Sequence, residues 1–185
     1  LRALLFFFTF FIFITLFDLV GIAIVAYYSE YGFEEFISDP ELIMENKMML
    51  LMMVCQLIGT IFTVGLFQKF ISREDFVSIG LNFVGFKIDF YKGLLAGTVL
   101  ICSGFISLTV LNLTLIDLTY FSFYDQIFYF FLFTIVSLNE EIAIRGYILH
   151  NLSSSFNKYV ALIISSLIFM IMHLSLIHIS EPTRP

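Results

Sequence analysis

The chain has 185 residues, 60% of them hydrophobic and 13% charged, with a mean hydropathy of +1.00. An average soluble domain carries about 25% charged residues, so this chain has too few polar side chains to cover a water-facing globule, which excludes an ordinary soluble enzyme, a disordered segment and a disulfide scaffold. The net charge of −6 speaks against nucleic-acid binding, which needs clustered Lys and Arg.

What remains is an all-α, polytopic transmembrane bundle. A helical span needs about 20 apolar residues to cross about 30 Å of hydrocarbon, and continuous apolar runs indicate helices rather than alternating strands. The first run extends from about Leu4 to Tyr28, behind Arg2. It is too long for a signal-peptide core and no small-residue cleavage site follows, so it reads as a retained span. The connection over 29–47 is acidic, with Glu30, Glu34, Glu35, Asp39, Glu41 and Glu45 against Lys47. A second span runs from about Met48 to Phe67. The connection over 70–92 is basic, with Arg73, Lys87 and Lys92 and with Lys69 at its edge. Within it Phe76, Ile79 and Phe83 share a helical face, and Gly80 and Gly85 punctuate. That stretch reads either as an amphipathic interfacial segment or as a plain connecting loop. A third span covers about Gly93 to Leu115, where Gly93, Gly97 and Gly104 predict close helix packing. The fourth runs from about Gln126 to Leu149, with charges near its end, and the fifth from about Tyr159 to His173. Cys55 and Cys102 lie inside spans without a CxxC pattern and read as small buried apolar residues.

Lys and Arg collect in cytoplasmic loops. One orientation satisfies the connections: Arg2 inside, the acidic loop outside, the basic loop inside, and the charged end of the fourth span toward the cytoplasm. The final stretch, Leu174 to Arg184, reads LSLIHISEPTR and resembles the conceptual translation of a sequencing-library adapter. The expectation is a single membrane domain over 1–173, with the natural sequence breaking off near His173. Residues 174–185 are then a non-native tail in which His178, Glu181 and Arg184 carry no biology.

The informative stretch is Asn139-Glu140-Glu141-Ile142-Ala143-Ile144-Arg145-Gly146. An ionisable residue at the centre of a span costs about 2.5–3.5 kcal/mol on insertion scales, so this cluster is not kept for packing alone. On a helix Glu141 and Arg145 are i and i+4 and can pair. Glu140 is turned about 100° away. One carboxylate is then held by Arg, and the other is free for proton or metal work. His173 lies in the next span, and consecutive spans with a short connection are usually neighbours. A carboxylate facing an imidazole could activate water or share a metal ion. His150 lies about ten residues beyond Glu140, roughly 15 Å along a helix, which is too far for the same site.

EExxxR in one span and FxxxH in the next resemble the CAAX protease and bacteriocin-processing family of intramembrane proteases, also called abortive-infection-like. The matching residues are Glu140, Glu141, Arg145 and Gly146, then Phe169 and His173. Ile144 stands where the family often has an aromatic. Asp75 to Leu81 also resembles the loop that precedes the family's core spans, so the likeness covers roughly 70–173. It implies endoproteolysis at or within the membrane, acting on prenylated or bacteriocin-like substrates. Glu140 would activate water and His173 would bind or orient it, with Glu141 and Arg145 in electrostatic support. If zinc is used, Glu140 and His173 are its expected ligands, although a catalytic zinc takes three protein ligands. The family's further His motif in a later span has no counterpart here.

The expected partners are a peptide or lipidated protein substrate and the bilayer, in a bacterial plasma membrane. Two other readings stand beside the protease. A non-catalytic relative, acting in immunity or partner binding, would keep Glu141–Arg145 as a brace. A proton-coupled transporter would use the intramembrane carboxylates but would show inverted repeats, and none is visible.

Overall fold

A backbone inside lipid must satisfy its own hydrogen bonds, and in the computed structural model the apolar runs do so as helices. The structure describes residues 2–28, 32–38, 46–81, 85–114 and 122–179, without the side chains of 46, 47 and 174–179. Phe83, most of the acidic connection and the end of the tail lie outside the described residues. Helix α1 is Arg2–Tyr28, α2 is Phe33–Ser38 and α3 is Asn46–Leu66, which continues as a π-helical segment over Phe67–Ser72. A 3₁₀ turn, Phe76–Ile79, precedes α4, Lys87–Val110. Helix α5, Phe123–Glu140, continues as a second π-helical segment, Glu141–Ile148, and then as α6, Leu149–Ser153. Helix α7 is Lys158–Ile179. Four stretches are long and apolar enough to cross a membrane, and Lys158–His173 is a shorter apolar helix. No strand occurs among the described residues. The protein is an all-α integral membrane protein.

The chain divides into two units, one of residues 1–80 with 130–185 and the other of residues 81–129. In the larger unit α1 lies along α3. Phe6, Phe10, Gly21 and Val25 are the buried positions of α1 and recur with helical spacing. Two glycines, one per helix, set the approach. A Cβ on Gly21 would lie 2.7 Å from Met52 Sδ, and one on Gly59 would lie 2.9 Å from Phe17 Cγ. Lipid tails are as apolar as Leu, so close van der Waals contact of this kind drives helix association. The rings of Phe13 and Phe17 both pack on Phe62.

In the smaller unit α4 begins six residues before the predicted Gly93, because nothing in Lys87-Ile88-Asp89-Phe90-Tyr91-Lys92 breaks a helix. Lys92 and Asp89 pair at i,i+3, 3.5 Å apart. The helix closes in a Schellman motif, with Asn112 at φ 54 and bonds from Asn112 N to Thr109 O and from Leu113 N to Leu108 O. Within the described residues of this unit, a Cβ on Gly93, Gly97 or Gly104 would meet no atom within 4 Å, so the close packing predicted there is not seen inside the unit. Cys55 is buried as expected, but Cys102 is exposed.

Among its described residues the basic connection is a connecting loop with one 3₁₀ turn, and it makes contacts of its own. Arg73, at φ 58, ends the first π-helical segment, and Gly80, at φ 100, ends the 3₁₀ turn. Between them the chain folds back onto the protein. Buried Gln68 donates from Nε2 to Ser78 Oγ at 2.8 Å. Ile79 is buried rather than turned toward lipid.

Candidate active site

The EExxxR motif straddles the junction of α5 with the second π-helical segment. Glu140 is the last α-helical residue, and Glu141 to Ile148 follow with i→i+5 bonding that ends in Leu149 N–H to Ile144 O. Such segments are rare and often mark functional sites. Glu141 and Arg145 remain close enough to pair, with Arg145 Nη1 donating to Glu141 Oε1 at 2.5 Å. Both side chains are largely exposed.

Two features place His173. Asn157 Oδ1 accepts from Tyr159 N and Val160 N and so caps the start of α7. The turn over 154–157 then returns α7 antiparallel to the motif helix. His173 Nε2 lies 3.4 Å from Glu140 Oε1. The other ring nitrogen, Nδ1, lies 2.9 Å from the Phe169 carbonyl oxygen, and the Phe169 ring stacks on the imidazole with centroids 4.4 Å apart. A carbonyl oxygen only accepts, so Nδ1 carries the hydrogen. In the neutral ring Nε2 then presents a lone pair to Glu140. Phe169 thus fixes the histidine both by its ring and by its backbone.

Beside this pair Ile144, Arg145, Ser165, Ser166 and Phe169 line a cavity of about 60 Å³. His150 is not part of the site. Its Nε2 lies 2.8 Å from Glu74 Oε2, and that hydrogen bond holds the Glu74 carboxyl below the usual carboxylate range.

Sequence reasoning missed Thr60, Asp18 and Gln56, three polar residues of the spans. Thr60, fully buried on α3, donates its hydroxyl to Asn139 Oδ1, next to Glu140. Asp18 on α1 is hydrogen-bonded by Gln56, and its Oδ1 is buried without a partner. An isolated polar residue within an apolar run was the available signal for each. Among the described residues no group of three His, Cys, Asp or Glu could hold a metal ion. Glu140 and His173 supply two donors where a catalytic zinc takes three, so the described donor set does not fit zinc.

Residues 121–182, about a third of the chain, match the family model Rce1-like, described as type II CAAX prenyl endopeptidase Rce1-like. The matched segment contains Glu140, Glu141, Arg145, Gly146, Phe169 and His173. The match agrees with the resemblance to CAAX proteases and supports a CAAX-type intramembrane protease at the level of the family. No curated protein and no solved structure matches the chain.

Proposed function

We propose that this chain is an intramembrane endopeptidase in which Glu140 and His173 together hold and activate a water molecule. The observation that carries this reading is the facing of Glu140 Oε1 and His173 Nε2 at 3.4 Å, with His173 Nδ1 engaged by Phe169 O. A carboxylate and a neutral imidazole nitrogen are both acceptors. One water donating a hydrogen to each satisfies both and leaves its own lone pair free. Glu140 then takes one proton as general base while the water oxygen bonds to a peptide carbonyl carbon. Collapse of the tetrahedral intermediate breaks the C–N bond, and the proton held by Glu140 passes to the leaving amine. The Arg145–Glu141 pair leaves four of the five guanidinium N–H donors for the developing negative charge or the substrate backbone.

The substrates under this reading are membrane-associated peptides, including prenylated or bacteriocin-like ones. The location is a bacterial plasma membrane with the N-terminal end in the cytoplasm. The test is cleavage of prenylated and unprenylated fluorogenic peptides by the protein in proteoliposomes. Glu140→Gln is expected to lower kcat about 100-fold or more, within the range of general-base contributions. Cleavage by Glu140→Gln at the unsubstituted rate would reject Glu140 as the general base, and a parent protein that cleaves none of the peptides would favour the non-catalytic relative.

A further inference from the structure

Three helix interfaces of the larger unit meet through consecutive residues. At α1–α3 the Phe17 ring closes on Gly59, where a Cβ would lie 2.9 Å from Phe17 Cγ. The next residue, Thr60, faces α5 and donates to Asn139 Oδ1. The residue after Asn139 is Glu140, which faces His173 on α7.

This bond joins the packed face of α5 to α3. Leu132 is buried and Ile135, Val136 and Asn139 are half-buried at helical spacing from it, so Asn139 extends the packed face of α5 toward the motif. In lipid no hydrophobic force draws helices together, so van der Waals packing and interhelical hydrogen bonds set their alignment. The bond also lies one residue before the change from α to π bonding, where a small rotation would swing Glu140 relative to α7. Thr63, one turn along α3 and equally buried, instead donates to Gly59 O within its own helix. Of these two threonines, Thr60 is the one that reaches the motif helix.

We propose that Thr60 and Asn139 are positioning residues for the reaction, and that their hydrogen bond sets the angle at which Glu140 meets His173. The proposal rests on the protease reading for its kinetic consequence, but its geometric content stands apart. Neither residue touches the water or the scissile bond. Both act through Glu140.

The test uses the full chain in proteoliposomes. Thr60→Val keeps the shape and removes the donor, while Thr60→Ser keeps the donor and removes a methyl group. The expected result is a kcat about 10- to 100-fold lower in Thr60→Val with KM unchanged, the scale on which misplacement of about 1 Å acts. Thr60→Ser is expected to recover most of it. Asn139→Leu repeats the test from the other side of the bond, should Thr60→Val fail to fold. A second arm reads position without activity. In a Glu140→Cys/His173→Cys variant, the yield of the 140–173 disulfide, mapped by mass spectrometry, is expected to fall when Thr60→Val is added. Undiminished kcat and undiminished disulfide yield in Thr60→Val would overturn the proposal, and so would lost activity with an unchanged yield. If the parent cleaves no peptide the protease reading fails, if Glu140→Gln retains full activity the role of Glu140 as base fails, and in either case the disulfide arm still decides whether Thr60 positions residue 140.

Discussion

Ile79 lies directly over Gly146. A Cβ placed on Gly146 would stand 3.3 Å from Ile79 Cδ1 and 3.6 Å from Ile79 Cβ. The glycine that follows the motif arginine therefore lets the 3₁₀ turn seat on the π-helical segment. Gly146→Ala gains up to about 1 kcal/mol in helix propensity against crowding that the terminal methyl of Ile79 can relieve by rotating. Its net effect on stability is expected to stay within about 1 kcal/mol. Gly146→Leu is expected to lift the turn and to cost about 1–3 kcal/mol, as overpacking does. Thermal unfolding in detergent reads both, and a Leu variant as stable as the parent would show that the turn does not bear on Gly146.

Tyr147 joins the two π-helical segments. Its ring is fully buried, with centroids 4.2 Å from Phe6 and 5.6 Å from Phe67, and its hydroxyl lies 3.2 Å from Ser72 Oγ. Tyr147→Phe keeps the ring and is expected to cost about 1 kcal/mol, the net worth of a typical hydrogen bond. Tyr147→Ala is expected to cost about 3–5 kcal/mol, as large-to-small aromatic substitutions do. If the hydroxyls bond to one another, Ser72→Ala adds little once Tyr147→Phe is present. A double-mutant cycle measures this, and strict additivity would show that the two hydroxyls do not interact.

The helices and their approximate limits were legible because continuous apolar runs admit little else in a membrane. Pairing of Glu141 with Arg145 was legible from i,i+4 spacing. The π-helical bonding was not, since no side-chain period distinguishes it over eight residues. Nor could spacing show which glycines are pressed against a neighbour. Gly21 and Gly59 are so placed, whereas a Cβ on the more regular Gly93, Gly97 or Gly104 would meet no atom of its own unit among the described residues. Thr60 stayed hidden because a single threonine is unremarkable in an apolar helix, and its bond to Asn139, which the motif stretch includes, joins residues far apart in sequence. The facing of Glu140 and His173 followed from motif spacing across a short turn, but the role of Phe169 as both stacking partner and acceptor required coordinates.

Arg145 and Glu141 separate a stabilising role from a functional one. Their side chains are 61% and 47% exposed on the protein surface, and at the cytoplasmic, water-facing end of the span, where the proposed orientation puts them, such a pair contributes roughly 0–1 kcal/mol. Arg145→Ala is thus expected to leave stability within about 1 kcal/mol of the parent. Under the protease reading it is expected to lower kcat/KM about tenfold or more, equivalent to about 1.4 kcal/mol of transition-state stabilisation. Arg145→Lys keeps the charge but not the planar fork, and is expected to fall between the two. An Arg145→Ala variant that cleaves at the parent rate would reduce the pair to a helix brace.

Glu74 and His150 tie the chain just after the first π-helical segment to α6, with Glu74 Oε2 2.8 Å from His150 Nε2. Glu74 is pulled below the ordinary carboxylate range mainly by this hydrogen bond, with a smaller contribution from Ser78. The sign of the consequence follows from linkage. A carboxyl with a lowered folded-state pKa binds protons more weakly when folded than when unfolded. Its contribution to stability is present above the unfolded value of about 4.3, and it is lost as pH falls through the lower folded-state value. Glu74→Gln should therefore be less stable than the parent at pH 6, and the difference should shrink as both proteins are acidified below about pH 4. Parallel melting curves of the two proteins in detergent across this range provide the measurement. A difference that is constant with pH would mean that the Glu74 charge does not take part in holding α6.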